Sequence, residues 1–229
     1  MTIDFEPFFK QYEALVKAAD DVFAQVKKEH PDCVTCEIAC ADCCHALFDL
    51  TLIEAMYINH HFNRLFDGRR REELLEKADE ADRKVHKLKR QAYKANETGK
   101  PEGEILNDWA AERVRCPLLN AQDRCDMYDQ RPITCRLYGI PTAIGGTGYT
   151  CGQSGFVPGK AYPTVNLDRI HGKLYEISEA LRQALQSRYV QLATVLVPLS
   201  MALLTEYSPE YLGVPEKENP EAGKGDNNE

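Results

Sequence analysis

The sequence predicts a mostly α fold: an irregular helical domain in which two loop-rich cysteine segments converge on a metal site. Three observations point there. Apolar residues recur at three- and four-residue steps over most of the chain, the period of a helix with one buried face. All nine cysteines fall in two groups, residues 33–44 and 116–151. Glycine and proline are dense from Cys116 to Pro163, where no helical period is visible.

The first helix is expected over residues 4–29, where Phe5, Phe8, Phe9, Tyr12, Leu15, Val16, Ala19, Phe23 and Val26 form the stripe. Pro31 stops it, because proline disfavours helical backbone in the residue before it. Thr51 and Glu54 read as a capping box, the hydroxyl capping the helix and the carboxylate reaching back. That helix runs to about Phe66, where Asp67-Gly68 breaks it. Leu74, Ala78, Ala81, Val85, Leu88, Ala92 and Ala95 alternate steps of four and three, a narrow seam suited to a long helix packed on one neighbour. A short helix is expected at Ile105–Val114, holding the single tryptophan, Trp109, and another at Arg131–Leu137. Near the end, Ile170, Leu174, Ile177, Leu181 and Leu185 mark one helix. The apolar run Tyr189–Leu204 reads as a second, buried one, kinked at Pro198.

These elements suggest a division into an N-terminal helix (1–32), a cysteine-cluster domain with inserted helices (33–163) and C-terminal helices (164–214). The tail 215–229 is polar and expected to be disordered. The 229 residues suffice for one large domain or two small ones. The formal charge of -8 argues against broad nucleic-acid binding, which needs a basic surface. The start, MTIDFEPFF, lacks the features of a secretory signal. The longest apolar run is shorter than a membrane span requires. A cytoplasmic protein is therefore expected, with no membrane or nucleic-acid partner. In that reducing setting, clustered cysteines serve metal binding or catalysis more often than disulfides.

The first group, Cys33 to Cys44, reads C-x2-C-x3-C-x2-C-C. Thiolates at such spacings can meet on one ion, because the turn between them reverses the chain. The candidate ligands are Cys36, Cys40, Cys43 and Cys44, then Cys116, Cys125, Cys135 and Cys151. His45 is the best histidine candidate. His60 and His61 read as ordinary surface residues. Arg131 and Arg136 flank Cys135 and can offset thiolate charge; the simpler reading is a salt bridge, with Glu54 as one candidate partner. Tyr128 reads as a packed aromatic with one hydrogen bond. The glycines before Cys151 lack the lysine ending of a phosphate loop, and their backbone N–H groups can serve the sulfur instead. No dinucleotide fingerprint is visible. Residues 64–94 carry 11 Lys or Arg against seven Asp or Glu. A solvated helix face is the first reading of that run, and a docking surface for an acidic protein partner the second.

These residues resemble the YkgJ-like CxxCxxCC cysteine-cluster family, which binds zinc or iron. The likeness rests on Cys36-Cys40-Cys43-Cys44, on Cys116-Pro117-Leu118-Leu119, on the late Cys151, and on CDMYDQRPITCR. That last block matches C-x-x-Y-x-x-R-P-x-x-C-R at Cys125, Tyr128, Arg131, Pro132, Cys135 and Arg136. The family separates its first two cysteines by two residues; here three lie between Cys36 and Cys40, and Cys33 is additional, so either Cys33 or Cys36 can fill the first place. The cysteine motif is also similar to that of flagellin lysine methylases, whose association with an iron–sulfur cluster favours iron. The resemblance implies an iron–sulfur cluster, of the 4Fe-4S type, with zinc as the alternative. A redox, sensing or metal-handling role follows. The other readings are a metal-dependent, methylase-like enzyme and a structural zinc interaction module.

Overall fold

The computed structural model describes residues 4–215, so the tail expected to be disordered lies, from residue 216 on, outside the described residues. Among the described residues there are seven α-helices and five strands of two or three residues each. The fold is mostly α, as the periodicity predicts.

Helix α1 spans Glu6–Glu29 and buries Phe9, Tyr12, Ala19 and Val26. Helix α2 spans Leu52–Leu65 behind the predicted capping box, with both of its reciprocal bonds present. Gly68 follows the break with φ of 45° and opens the 30-residue helix α3, Gly68–Glu97. The seam of α3 is buried at Leu74, Ala78, Ala81 and Val85 but half-exposed at Leu88, Ala92 and Ala95. Helix α4, Glu102–Ala111, lies three residues earlier than expected at both ends. It starts as soon as Pro101 permits, a residue well suited to a helix start because it has no N–H to satisfy.

Between α4 and the last helices the chain is irregular, as expected, with one short helix, α5 (Ile133–Leu137). It also contains a hairpin that the sequence reading lacks. Strand β2 (Thr142–Ile144) pairs antiparallel with β3 (Thr147–Tyr149). Gly145 and Gly146, at φ of 56° and 80°, make the turn, the two consecutive positive φ angles that a tight hairpin of this hand requires. Strand β4 (Val165–Asn166) adds to β2 in parallel and leads into helix α6, Leu167–Ala184.

The run Tyr189–Leu204 is not one kinked helix. It forms a 3-10 turn at Leu192–Thr194, strand β5 (Leu196–Pro198) and a short helix α7 (Leu199–Leu204). Pro198 excludes helical backbone from the residue before it, and β5 instead pairs antiparallel with β1, Asp49–Thr51. Asn59 closes the far end of α7: its Nδ2 donates to the carbonyls of Ala202 (2.9 Å) and Thr205 (3.0 Å).

Two apolar cores result. One joins α1, α2, α5 and α6 through residues such as Tyr12, Ile53, Leu137 and Leu181. The other joins α2, α3 and α7 through Ile58, Phe62, Leu74 and Leu203, and takes in Leu118 and Met127. Helix α2 has a face in each. No helix among the described residues is long and apolar enough to cross a membrane.

Candidate metal centre

The cysteine groups are carried by short, stiff pieces of chain. Cys43 and Cys44 lie in a 3-10 turn, Asp42–His45. The N–H of Cys116 donates to the Cys44 carbonyl at 2.7 Å, and the N–H of Val114 to the His45 carbonyl at 3.1 Å. These bonds lay the start of the second group along the end of the first. Cys125 returns beside Cys116 through an antiparallel bridge between Leu119 and Cys125.

Cys135 sits on α5, whose position is fixed from three sides. The Glu54 carboxylate caps it by accepting from the Ile133 N–H at 3.3 Å while also accepting from Thr51 Oγ1 at 3.0 Å. Glu54 is fully buried, and burial raises its carboxyl above the ordinary value of 4.5. Arg136, only 5% exposed, donates to Asp20 on α1 at 2.6 Å and to the carbonyls of Arg131 and Asp129. Arg131 also pairs with Asp20, at 3.6 Å, and stacks on the Tyr128 ring at 3.9 Å. The salt-bridge partner of both arginines is therefore Asp20 rather than Glu54. Tyr128 is not packed inside; it is 60% exposed and serves as a platform for Arg131.

Eight cysteines line one cavity of about 610 Å³: Cys36, Cys40, Cys43, Cys44, Cys116, Cys125, Cys135 and Cys151. Cys33 does not line it. Both side chains pack against the first core, but of that pair Cys36 is the one that faces the other thiols. Gly139 matters at this point: a Cβ there would overlap the Cys36 sulfur. His45 is not on the wall either; its Nδ1 is 3.0 Å from the Ala41 carbonyl. His60 and His61 lie on α2, half-buried beside Phe9 and Tyr57. The glycine-rich backbone before Cys151 forms the hairpin. The donor to Cys151 Sγ is the Gln153 N–H, at 3.4 Å.

Burial and mutual repulsion hold most of these thiols in the protonated form. Burial pushes Cys36 up to about 11, with Cys40, Cys151 and Cys43 adding to it. Burial likewise raises Cys116 to about 12 and Cys135 well above its ordinary value, each with Cys43 and Cys125 contributing. Cys43 goes the other way, to about 7, lowered first by the neighbouring Cys44 thiol and further by the Arg131 guanidinium. A cation at the centre reverses this balance, because it binds thiolate and expels the protons.

Among the described residues, no three His, Cys, Asp or Glu side chains are already drawn round a single point. The donor set nevertheless fits a thiophilic metal. Eight sulfurs share one wall, and thiolate is the ligand that zinc and iron–sulfur clusters take.

Of these features, the sequence reading lacked Asp20, which anchors α5, and Asp42 and Trp109 on the cavity wall. Only the spacing of Asp20 on the inner half of α1 hints at the first.

No curated protein and no solved structure matches the chain. A family model does match, over residues 32–152, more than half of the sequence and the whole span from Cys33 to Cys151. With eight thiols on one wall within that span, the chain belongs to the CxxCxxCC family, described as a "putative zinc- or iron-chelating domain".

Proposed function

We propose that the protein holds an iron–sulfur cluster through cavity-lining thiolates and serves a redox, sensing or metal-handling role in the cytoplasm. The observation that carries this is the cavity itself. Eight thiols and no histidine face it, the soft donor set that iron–sulfur clusters select. When bound, such a cluster supplies one-electron chemistry. The chain's own part is to exclude water, hold the sulfurs and offset their charge. Arg131 is placed for the last task, since it acts on Cys43, Cys125 and Cys135.

The second reading is a metal-dependent enzyme. The cavity favours it because its wall also carries apolar side chains, among them Phe48, Val85, Trp109 and Leu199. An apolar space next to a metal is where a small substrate would sit.

The test is purification without oxygen, followed by the visible spectrum and the iron, zinc and acid-labile sulfide content. Iron with equal sulfide and a broad visible absorption is expected. The single tryptophan, Trp109, adds a second signal because it lines the same cavity. A cluster should quench its fluorescence by energy transfer, and zinc should not. A colourless protein with stoichiometric zinc and no sulfide refutes the iron–sulfur assignment and leaves zinc in its place.

A further inference from the structure

Charge is sorted along helix α3. From Gly68 to Asp82 the helix carries six Asp or Glu beside four Lys or Arg. From Arg83 to Asn96 it carries six Lys or Arg and no acidic residue. The first half pairs its charges within the helix, as in Arg69–Glu73 at 3.0 Å. Arg83 and Lys84 reach back into that half, to Asp79 and Glu80. Lys89 turns to the protein and binds Asp49 at 2.7 Å. Among the described residues, Lys87, Arg90 and Lys94 pair with no carboxylate.

Arg83, Lys87, Arg90 and Lys94 follow one another at steps of four, three and four, so they share one face of the helix. All four are exposed. Lys87 and Lys94 stand two and nine residues beyond Val85 of the buried seam, each about half a turn round the axis from it. The result is a basic stripe about 16 Å long on the outer face, flanked by Tyr93, which is 64% exposed. Two ordinary causes do not account for it. The helix dipole favours cations only in the last turn, which includes Lys94 and leaves out Arg83, Lys87 and Arg90. Solvation alone is better served by mixed signs, because like charges three or four residues apart destabilise a helix. Arg83–Lys87, Lys84–Lys87, Lys87–Arg90 and Arg90–Lys94 are four such pairs. An acidic surface laid on the stripe offsets that repulsion.

We propose that the outer face of α3 from Arg83 to Lys94 docks the acidic surface of another protein, in a short-lived complex guided by charge. A protein fits this stripe better than a nucleic acid. A nucleic-acid backbone carries charge along its whole length. It would run on over Glu76 and Glu72, which stand on the same face, seven and eleven residues before Arg83. An acidic patch on a folded protein can match the stripe and stop there. Ala81 and Val85 line the thiol cavity from the inner face of α3, so a docked partner lies one helix thickness, about 10 Å, from the cavity wall. The docking itself does not depend on what the cavity holds.

The experiment uses the full-length protein and a fluorescein-labelled oligoglutamate peptide, with binding read by anisotropy at low ionic strength. Binding that weakens as salt is added is expected. Reversal of three charges together, Lys87→Glu, Arg90→Glu and Lys94→Glu, should weaken it by about 10-fold or more. These side chains are exposed, and circular dichroism checks that the variant keeps its helices. A control with the same change of net charge reverses Lys10, Lys17 and Lys28, exposed on α1, and should bind nearly as the wild type does. Zero-length carbodiimide coupling should join the peptide to Lys87 and Lys94 ahead of the α1 lysines. Equal losses in the two triple variants, coupling spread evenly over the lysines, or no binding to the wild type at low salt would each overturn the proposal. Tighter binding of an oligouridylate through the same residues overturns it in favour of a nucleic acid. Self-association of the wild type at low salt, lost in the reversal of 87, 90 and 94, overturns it in favour of a second copy of this chain.

Discussion

Helix α2 buries nine of its fourteen residues, whereas the first cysteine loop, residues 33–48, buries only Val34. The second cysteine segment falls between them. Its middle, around Leu118, Met127, Ile133 and Leu137, reaches into the two cores. Its end, residues 142–163, buries only Cys151 and Phe156. Apolar area removed from water stabilises a fold by roughly 25 cal/mol per Å², so the helical frame has its own source of stability. The loops have backbone bonds, a few clamps and the thiols. For them we expect a bound metal to supply the missing core, as in small metal domains where binding energy is folding energy.

The largest expected effect separates the two regions directly. Removing metal with a chelator, under reducing conditions, should open residues 33–48 and 142–163. It should raise their amide exchange by about 10-fold or more, the equivalent of ~1.4 kcal/mol of lost local stability. Amides of α1, α2 and α6 should keep their protection. Equal loss of protection in helices and loops would erase the distinction. The stretch 117–141, with its contacts in both cores, is expected to respond less than the loops on either side of it.

A lesion in the frame should behave in the opposite way. Phe62 is completely buried in the second core, and Phe62→Ala should cost about 3–5 kcal/mol. Denaturant unfolding should return the same cost with and without metal, since Phe62 does not line the cavity. A cost that appears only in the metal-loaded protein would show that frame and loops are not separable.

Gly139→Ala sharpens the contrast from the loop side. The added methyl collides with the Cys36 sulfur and approaches Phe23 at 3.3 Å. In the metal-free chain the thiol can rotate away, so little stability is lost. With metal bound, that rotation is blocked, and overpacking should cost about 1–3 kcal/mol. The measurement is metal affinity by competition with a chelator; an affinity equal to wild type would show that Cys36 is not held at the centre.

The smallest effect concerns Glu54, which lies in the frame but caps the helix of Cys135. Its folded-state pKa is raised by burial, so its protonated form is the one folding favours. Its contribution to stability is full below about 4.5, the ordinary carboxyl value, and is lost as pH rises through the raised folded value. Glu54→Gln carries no such loss. The stability of the variant relative to wild type should therefore increase from about pH 5 to about pH 8, by less than roughly 1.4 kcal/mol per unit of pKa shift. A difference independent of pH would contradict this.

Legibility in the sequence divides along the same line. The stripes of α1, α3 and α6 and the Thr51–Glu54 box are local patterns of period or spacing, and they locate helices to within a few residues. The run 189–204 misleads because apolar composition alone does not separate a helix from a strand, and Pro198 starts a helix here instead of bending one. The hairpin at Gly145-Gly146 is equally local and was legible; the glycines read as servants of Cys151 because that cysteine follows them. The choice of Cys36 over Cys33 for the cavity wall was not legible, since it depends on how α1 and Gly139 pack around that loop. Nor were the pairs Arg136–Asp20 and Cys151–Asp42, whose members are more than 100 residues apart.

Helix α2 has one further consequence. Leu52, Ile53, Met56 and Tyr57 belong to the first core, and Ala55, Ile58 and Phe62 to the second. Neither core can melt while this helix stays folded in the other without exposing half of its surface to water. Two clusters that would otherwise denature at separate temperatures are thereby bound to one cooperative transition. Calorimetry of the helical frame should record a single peak.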